Sequence, residues 1–313
     1  MIYAIGAFDG FHAGHRALLQ KAQSLAHAQN CGWGVITFDK NPQFLLSDAK
    51  FKQLFSDTER DFFARCIGVP KLIKLAFTKE FAALSPLAFL KLLEEKYDMT
   101  ALVVGENFRF GKGRSGDVKF LEAYFANCGK TLEIVPSVLQ ENAVLCSTAL
   151  RTLLTEGKIA RVNNALDFAY MLSGTVVHGA SRGKTLGFPT ANIQVDENKV
   201  YPRVGSYVSM TLYDGNLYPS VTNIGYNPTF ESGKLSCETH IIDFEGDLYG
   251  KKIMLFLLQE HRAEIKFKSK EELTRQLKID VQTAKTVNAE FMAKNCDLIS
   301  KIKATAFDMA GLV

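Results

Sequence analysis

The chain has no C-x-x-C pair among its six cysteines, no basic tract, no internal repeat and no low-complexity linker. Cys31, Cys66, Cys128, Cys146, Cys237 and Cys296 are widely scattered without zinc-like spacing, so they read as reduced, mostly buried residues. A net charge of +4 with no basic run argues against nucleic acid and suits anionic small molecules, polyphosphates among them. The N-terminus lacks a basic n-region, and its apolar start is cut at Asp9, too early for a signal peptide or a membrane span. A cytoplasmic protein without membrane association is the expectation. At 313 residues, with 47% hydrophobic and 22% charged residues, the chain has the composition of a soluble globular protein and length for two domains, each with its own core.

The first half alternates strand and helix. Ile2 to Phe8 is a short apolar run ending in Asp9-Gly10, and Ala17, Leu18, Leu19, Ala22 and Leu25 follow at helical spacing. Further strands are expected at Gly34–Phe38, Lys71–Ala76, Leu102–Gly105 and Ile134–Val135. Ser85-Pro86 can start a helix whose apolar positions, with Leu84, Leu87, Phe89, Leu90, Leu92 and Leu93, read as core. After residue 165 the pattern changes to short strands with close turns: Met171–Val177, Ala191–Gln194, Gly205–Tyr213, Leu217–Ile224, Cys237–Ile242 and Lys252–Gln259. Asp214-Gly215 is a hairpin signal, and residues 269–304 read as one or two terminal helices. The expected architecture is an α/β domain over 1–165 and an antiparallel β-barrel or sandwich over 166–313, followed by helix.

Several stretches fit neither a plain strand nor a plain helix. Gly6 to His15 carries His12 and His15 three apart; at the start of a helix they would share a face where backbone amides and the helix dipole favour an anion, although a lone histidine there is commonly a cap. The loop from Gly105 through Asn107 to Gly116 follows a strand, where open α/β sheets bind ligands, yet its basic residues also suit a solvated loop. Ser147 or Thr148 can cap the helix that holds Arg151. In the second half, Gly179, Gly183 and Gly187 give the backbone freedom to wrap phosphates. Thr190 and Asn192, two apart, face the same way if extended, and their oxygens suit magnesium; a Gly/Pro turn between strands accounts for the same composition. Glu238 lies on a strand beside Thr239 and His240, where a single glutamate is usually just solvated.

The run Val176-Val177-His178-Gly179 to Arg182-Gly183, followed by Leu186-Gly187-Phe188-Pro189-Thr190-Ala191-Asn192, closely resembles the flavokinase signature. The decapeptide Gly6 to His15 resembles the nucleotidylyltransferase loop of prokaryotic FAD synthetases. Gly105 to Gly111 is similar to that family's second flavin and nucleotide loop, and Cys146 to Arg151 to its phosphate-binding Ser/Thr/Arg motif. With Glu238-Thr239-His240-Ile241, Asn227-Pro228-Thr229-Phe230 and Arg262-Ala263-Glu264, the resemblance covers nearly the whole chain. It implies a Rossmann-like nucleotidylyltransferase domain followed by a flavokinase barrel, and a bifunctional enzyme that phosphorylates riboflavin to FMN and adenylylates FMN to FAD.

The resemblance also implies roles. In the first half, His12, His15 and Arg151 would stabilise charge moving onto pyrophosphate. Gly6, Phe8, Asp9, Gly10, Gly14, Ser147 and Thr148 would bind nucleotide, and Asn107 the flavin. In the second, Glu238 would be the general base, and Thr190 and Asn192 the Mg2+ ligands. Gly179, Arg182, Lys184, Gly187 and Pro189 would hold ATP, and Arg262 the flavin or nucleotide. ATP is the implied co-substrate, with riboflavin, FMN, FAD, ADP and pyrophosphate as the other ligands, and a weak homo-oligomer is admitted. Ala7, Asn41 and Cys146 depart from the family pattern, all in the adenylyltransferase half. A riboflavin kinase with a degenerate first domain, and a non-catalytic flavin-binding regulator, therefore stay open.

Overall fold

The computed structural model describes all residues except 47–49, 141–142, 145, 180–182, 184–185, 227–234 and 310–313. Two compact units form. One takes Met1–Gln53 and Gly68–Ser147, the other Leu54–Ile67 and Thr148–Val313. In chain order the first elements are β1 (Ile2–Ile5), α1 (Ala13–Ala28), β2 (Trp33–Phe38), α2 (Gln43–Leu46), α3 (Asp57–Cys66), β3 (Leu72–Leu75), α4 (Lys79–Ala82) and α5 (Pro86–Tyr97). Next come β4 (Ala101–Gly105), α6 (Val118–Cys128), β5 (Thr131–Val135), β6 (Leu139–Gln140), β7 (Ala143–Val144), α7 (Ser147–Thr155) and α8 (Ile159–Leu166). The remainder is β8 (Tyr170–Val177), β9 (Ala191–Val195), β10 (Gly205–Tyr213), β11 (Asn216–Tyr226), β12 (Leu235–Ile241), β13 (Lys252–Ala263), α9 (Lys270–Lys294) and α10 (Cys296–Asp308).

The first unit is a five-stranded parallel sheet in the order β3-β2-β1-β4-β5, a doubly wound, Rossmann-like arrangement. Ile2–Ile5 and Ala101–Val104 are buried without alternation, as strands covered on both faces must be. Tyr3, Ile5, Leu102 and Val104 pack with Leu90 and Leu93 of α5 and Leu121 and Phe125 of α6. Ser85 caps α5 by accepting from the Ala88 amide, with Pro86 in the first turn. Leu87 departs from the expected core: it is exposed on the outer side of α5. β1 also stops three residues short of Phe8, because Phe8 and Phe11 take left-handed backbone at φ 47° and 45° on either side of Gly10 at φ 93°. That backbone costs energy in a bulky residue, and the complete burial of both rings holds it in place.

The second unit is a closed six-stranded antiparallel barrel, β10-β11-β12-β9-β8-β13, with the terminal region split into two helices. Asp214 and Gly215, both at positive φ, make the tight turn joining β10 and β11. Ser209, Thr211, Ser220, Thr222 and Thr239 share the face of their strands turned away from α9 and are fully buried. Their hydroxyls bond across strands: Ser209 to Ser220 at 2.8 Å and to Thr222 at 2.7 Å, and Thr222 to Thr239 at 3.0 Å. Small hydroxylated side chains fill a narrow barrel while satisfying one another.

α3, from the first half of the chain, belongs to this second unit. Its Glu59 is fully buried and meets the buried Lys199 ammonium at 2.5 Å, while the Ser56 amide (2.9 Å), the Ser173 amide (2.8 Å) and the Ser173 hydroxyl (3.0 Å) also donate to the carboxylate. Lys199 also donates to the Leu54 carbonyl and lies 4.3 Å from the Tyr170 ring centroid. Removing one member strands the other's charge, so Lys199→Met is expected to lower stability by about 3–5 kcal/mol, measured by chemical denaturation. Lys199→Met with Glu59→Gln should recover most of that loss; equal loss in both variants would show that the pairing is not what matters.

The cysteines are unpaired, as expected, but less buried than expected: Cys66 and Cys237 are buried, Cys31 and Cys296 exposed. Burial pushes the Cys66 thiol up to about 11 and the Cys237 thiol up to about 12, so neither is a reactive thiolate at neutral pH.

Candidate active sites

In the first sheet the winding reverses between β1 and β4, and the loops after those strands part to leave a crevice. The loop after β1 brings His12 and His15 together. His12 is the last residue before α1, His15 is in its first turn, and their rings stack 3.9 Å apart. Phe8 packs on His15 at 5.0 Å and on Phe11 at 5.3 Å, so its ring buttresses His15. The His15 Nδ1 is buried with no hydrogen-bond partner. Burial and then the neighbouring His12 hold the His15 pKa well below the ordinary imidazole range, so the ring is neutral at pH 7. Gly6 donates to the Ile36 carbonyl at 3.2 Å, and the Asp9 carbonyl accepts from the Ser147 hydroxyl at 2.8 Å. Gly14 lies in the first turn of α1 between the two histidines.

Ser147 is therefore tied to the histidine loop instead of capping α7 as the sequence suggests. Thr148 and Arg151 lie on α7 in the second compact unit. After β4, the Asn107 amide donates to Ser137 Oγ at 3.1 Å at the edge of a cavity of about 470 Å³. Phe38, Phe77, Phe81, Phe108 and Phe110 line this cavity, with Arg109 and Arg114 at its polar side. The Phe108 and Phe110 rings are nearly parallel at 17° and 5.5 Å apart. The aromatic wall was missed by sequence reading, although Phe77 and Phe81 four apart and the Phe-Arg-Phe of 108–110 were its signals. Pro42 and Gln43 line the same cavity, and Asn41 accepts from the Gln43 amide at 3.1 Å, which starts α2.

In the barrel, backbone register gathers the second set. Arg262 of β13 is opposite Ser206 of β10, Ser206 opposite Asn223 of β11, Asn223 opposite Glu238 of β12, and Glu238 opposite Asn192 of β9. Directly opposed residues share a face, so five polar side chains form one row across five strands. Thr190, two residues before Asn192, has its hydroxyl 3.5 Å from Glu238 Oε2. A Cβ on Gly179 would lie 2.1 Å from the Asn192 amide nitrogen, so glycine is required for Asn192 to hold its place. Gly187 is at φ 81°, and His240 Nδ1 donates to the Pro189 carbonyl at 2.8 Å, pinning the loop to β12. Arg182, Lys184 and the 227–230 segment lie outside the described residues.

Thr190, Ser206, Asn223, Glu238 and Arg262 line a cavity of about 290 Å³ closed by α9. The Arg262 guanidinium is held by Asp280 of α9, with Nη2 to Oδ2 at 2.8 Å and Nε to Oδ2 at 3.2 Å. Burial opposes the Asp280 charge, yet hydrogen bonds from Arg262, Gln276 and His261 outweigh it and keep the carboxyl below its usual pKa. Asp280 gave no sequence signal, since an acid on a long terminal helix is ordinarily solvated.

Among the described residues no three His, Cys, Asp or Glu side chains gather into a metal site. The set at hand, a threonine hydroxyl, an asparagine amide held by the Gly179 cradle and one nearby carboxylate, suits a hard cation that takes its other ligands from phosphate and water.

Comparison with known proteins agrees with this two-site geometry. Residues 1–149 match the FAD synthetase family and 166–288 the riboflavin kinase family. A bifunctional riboflavin kinase/FMN adenylyltransferase of Listeria monocytogenes is 32% identical over 92% of this chain and 93% of its own. The chain belongs to the bifunctional riboflavin kinase/FMN adenylyltransferase family. The Escherichia coli K12 member is 34% identical, covering 91% of each chain. A crystal structure titled as a macrolide-efflux protein from Streptococcus pneumoniae has a TM-score of 0.81 at 29% identity, over 91% of this chain and 93% of that one. No helix among the described residues here is long and apolar enough to cross a membrane. Within this family the histidine loop falls in the FAD synthetase match and the Glu238 row in the riboflavin kinase match.

Proposed function

We propose that residues 166–313 phosphorylate riboflavin with ATP and that residues 1–165 adenylylate the resulting FMN, with the site residues acting as follows. Glu238 accepts the proton of the riboflavin 5′-hydroxyl as its oxygen bonds to the γ-phosphorus of ATP and the bond to ADP breaks. The placement of Glu238 in one row with Asn192, Asn223 and Ser206 is the observation that most supports this reading. Thr190 and Asn192 would hold Mg2+, which would offset phosphate charge when bound. The backbone of Gly179, Gly187 and Pro189 shapes the nucleotide loop, and Arg182 and Lys184 are assigned to ATP by the family pattern alone.

In the first half an FMN phosphate oxygen bonds to the α-phosphorus of a second ATP, and pyrophosphate leaves with the bonding pair. His12 and His15 donate hydrogen bonds to the phosphates, while the family pattern assigns Thr148 and Arg151 to ATP and Asn107 to the flavin. The aromatic cavity beside Asn107 suits the isoalloxazine ring, since flat aromatic systems stack on such walls. Neither step needs a covalent enzyme intermediate, so positioning and charge stabilisation supply the rate. A cytoplasmic location fits these substrates.

The test is chromatography of flavins formed from riboflavin with Mg-ATP, beside a second reaction started from FMN. FAD in both is the expected result. FMN alone from riboflavin, with nothing made from added FMN, would remove the adenylyltransferase assignment.

A further inference from the structure

Among its described lining residues the barrel cavity holds more acid than base. Among the described residues lining it, Glu238, Glu264 and Asp280 are carboxylates and Arg262 is the one arginine or lysine. Nor is that cation unpaired. Asp280 takes two sides of its fork, Nη1 turns back to the Ala263 carbonyl at 3.4 Å, and the Phe267 ring covers the guanidinium at 5.6 Å. Asp280 is only 1% exposed, and its Oδ1 also meets Gln276 Nε2 at 2.7 Å and His261 Nε2 at 2.9 Å, so this anion is built into α9 and fixed from three directions.

The reaction proposed above changes the charge of the flavin inside this cavity. Riboflavin enters uncharged, and FMN carries a phosphate of about −1.5 to −2 at neutral pH. An exposed arginine fork is a strong phosphate monoester ligand, and would retain the product. Arg262 is three strand positions along the row from Glu238, roughly 14 Å between backbones, and both residues line the one cavity. Charges in a partly enclosed cavity at that range are screened less than in bulk water.

We propose that Asp280 sets the substrate preference of the kinase site: by neutralising Arg262 it withholds that one cation from the phosphate ester, so that riboflavin is held and FMN is released. Asp280 is thus a specificity-determining residue that acts through Arg262. The inference rests on the kinase reading, and the test separates the two.

Asp280→Asn keeps the side-chain shape and an acceptor while removing one negative charge. FMN is expected to inhibit riboflavin phosphorylation at a concentration about fivefold to tenfold lower than in the wild type, with a much smaller change in KM for riboflavin. The paired change Asp280→Asn with Arg262→Gln restores the charge balance, and the ratio of FMN inhibition constant to riboflavin KM should return to the wild-type value. If Asp280→Asn alone does not fold, Asp280→Asn with Arg262→Lys, whose ammonium can turn to water, carries the same expectation of tighter FMN binding. Weakening of FMN and riboflavin together would make Asp280 a purely structural residue and overturn the proposal, as would unchanged FMN inhibition in a folded variant. A wild-type protein that makes no FMN would instead sink the kinase reading.

Discussion

Glu238→Gln should slow FMN formation from riboflavin by about 10²–10⁴-fold while FAD formation from added FMN continues at the wild-type rate. The amide preserves the shape of the carboxylate and its place opposite Asn192 and Asn223, so the barrel is not disturbed. What it loses is the capacity to accept a proton. Because Glu238 is on β12 of the second unit and the histidine pair on the first, the two activities should respond separately. FMN production at the normal rate would remove Glu238 as the base. Loss of both activities in a folded protein would sink the two-site arrangement.

His15→Ala should do the reverse, slowing FAD formation from FMN by about 10²–10³-fold and leaving riboflavin phosphorylation intact. In the proposed role the neutral ring would donate one N–H toward developing charge. Its lowered pKa also gives a sign for stability. Below the unfolded value of about 6.5, the unfolded chain binds a proton that buried His15 does not, so the contribution of His15 is complete above that pH and declines as pH falls toward its folded pKa. Denaturation midpoints at pH 7.5 and 5.5 should therefore differ more in the wild type than in His15→Ala. An equal difference would place the acid sensitivity elsewhere, and unimpaired FAD synthesis would remove His15 from the reaction.

Local chemistry was legible in the sequence wherever local forces decide. The β10 strand matched its expected bounds, Asp214-Gly215 made its hairpin, Ser85-Pro86 opened α5, and His12 and His15 met at a helix start as their spacing required. Thr190 came to lie beside Glu238 and Asn192 opposite it, on the shared side that their two-residue spacing called for. What was not legible depends on register and distant partners. Nothing in the segments themselves places Arg262 and Glu238 in one row, since that follows from three successive strand pairings. The departure at Asn41 took a local form, an amide that starts α2, and the aromatic cavity beside it was hidden because each phenylalanine reads singly as core. Asp280 and Glu59 were invisible for the same reason: a charge's burial is decided by what folds over it.

The membership of α3 in the second unit has a consequence for synthesis. Glu59 leaves the ribosome 140 positions ahead of Lys199. At about 5–20 residues per second that is roughly 7–28 s during which a helix carrying Phe62 and Phe63, both buried in the finished protein, has no barrel to pack against. A nascent chain of this kind offers chaperones an apolar segment in its first fifth, long before the domain that will cover it exists.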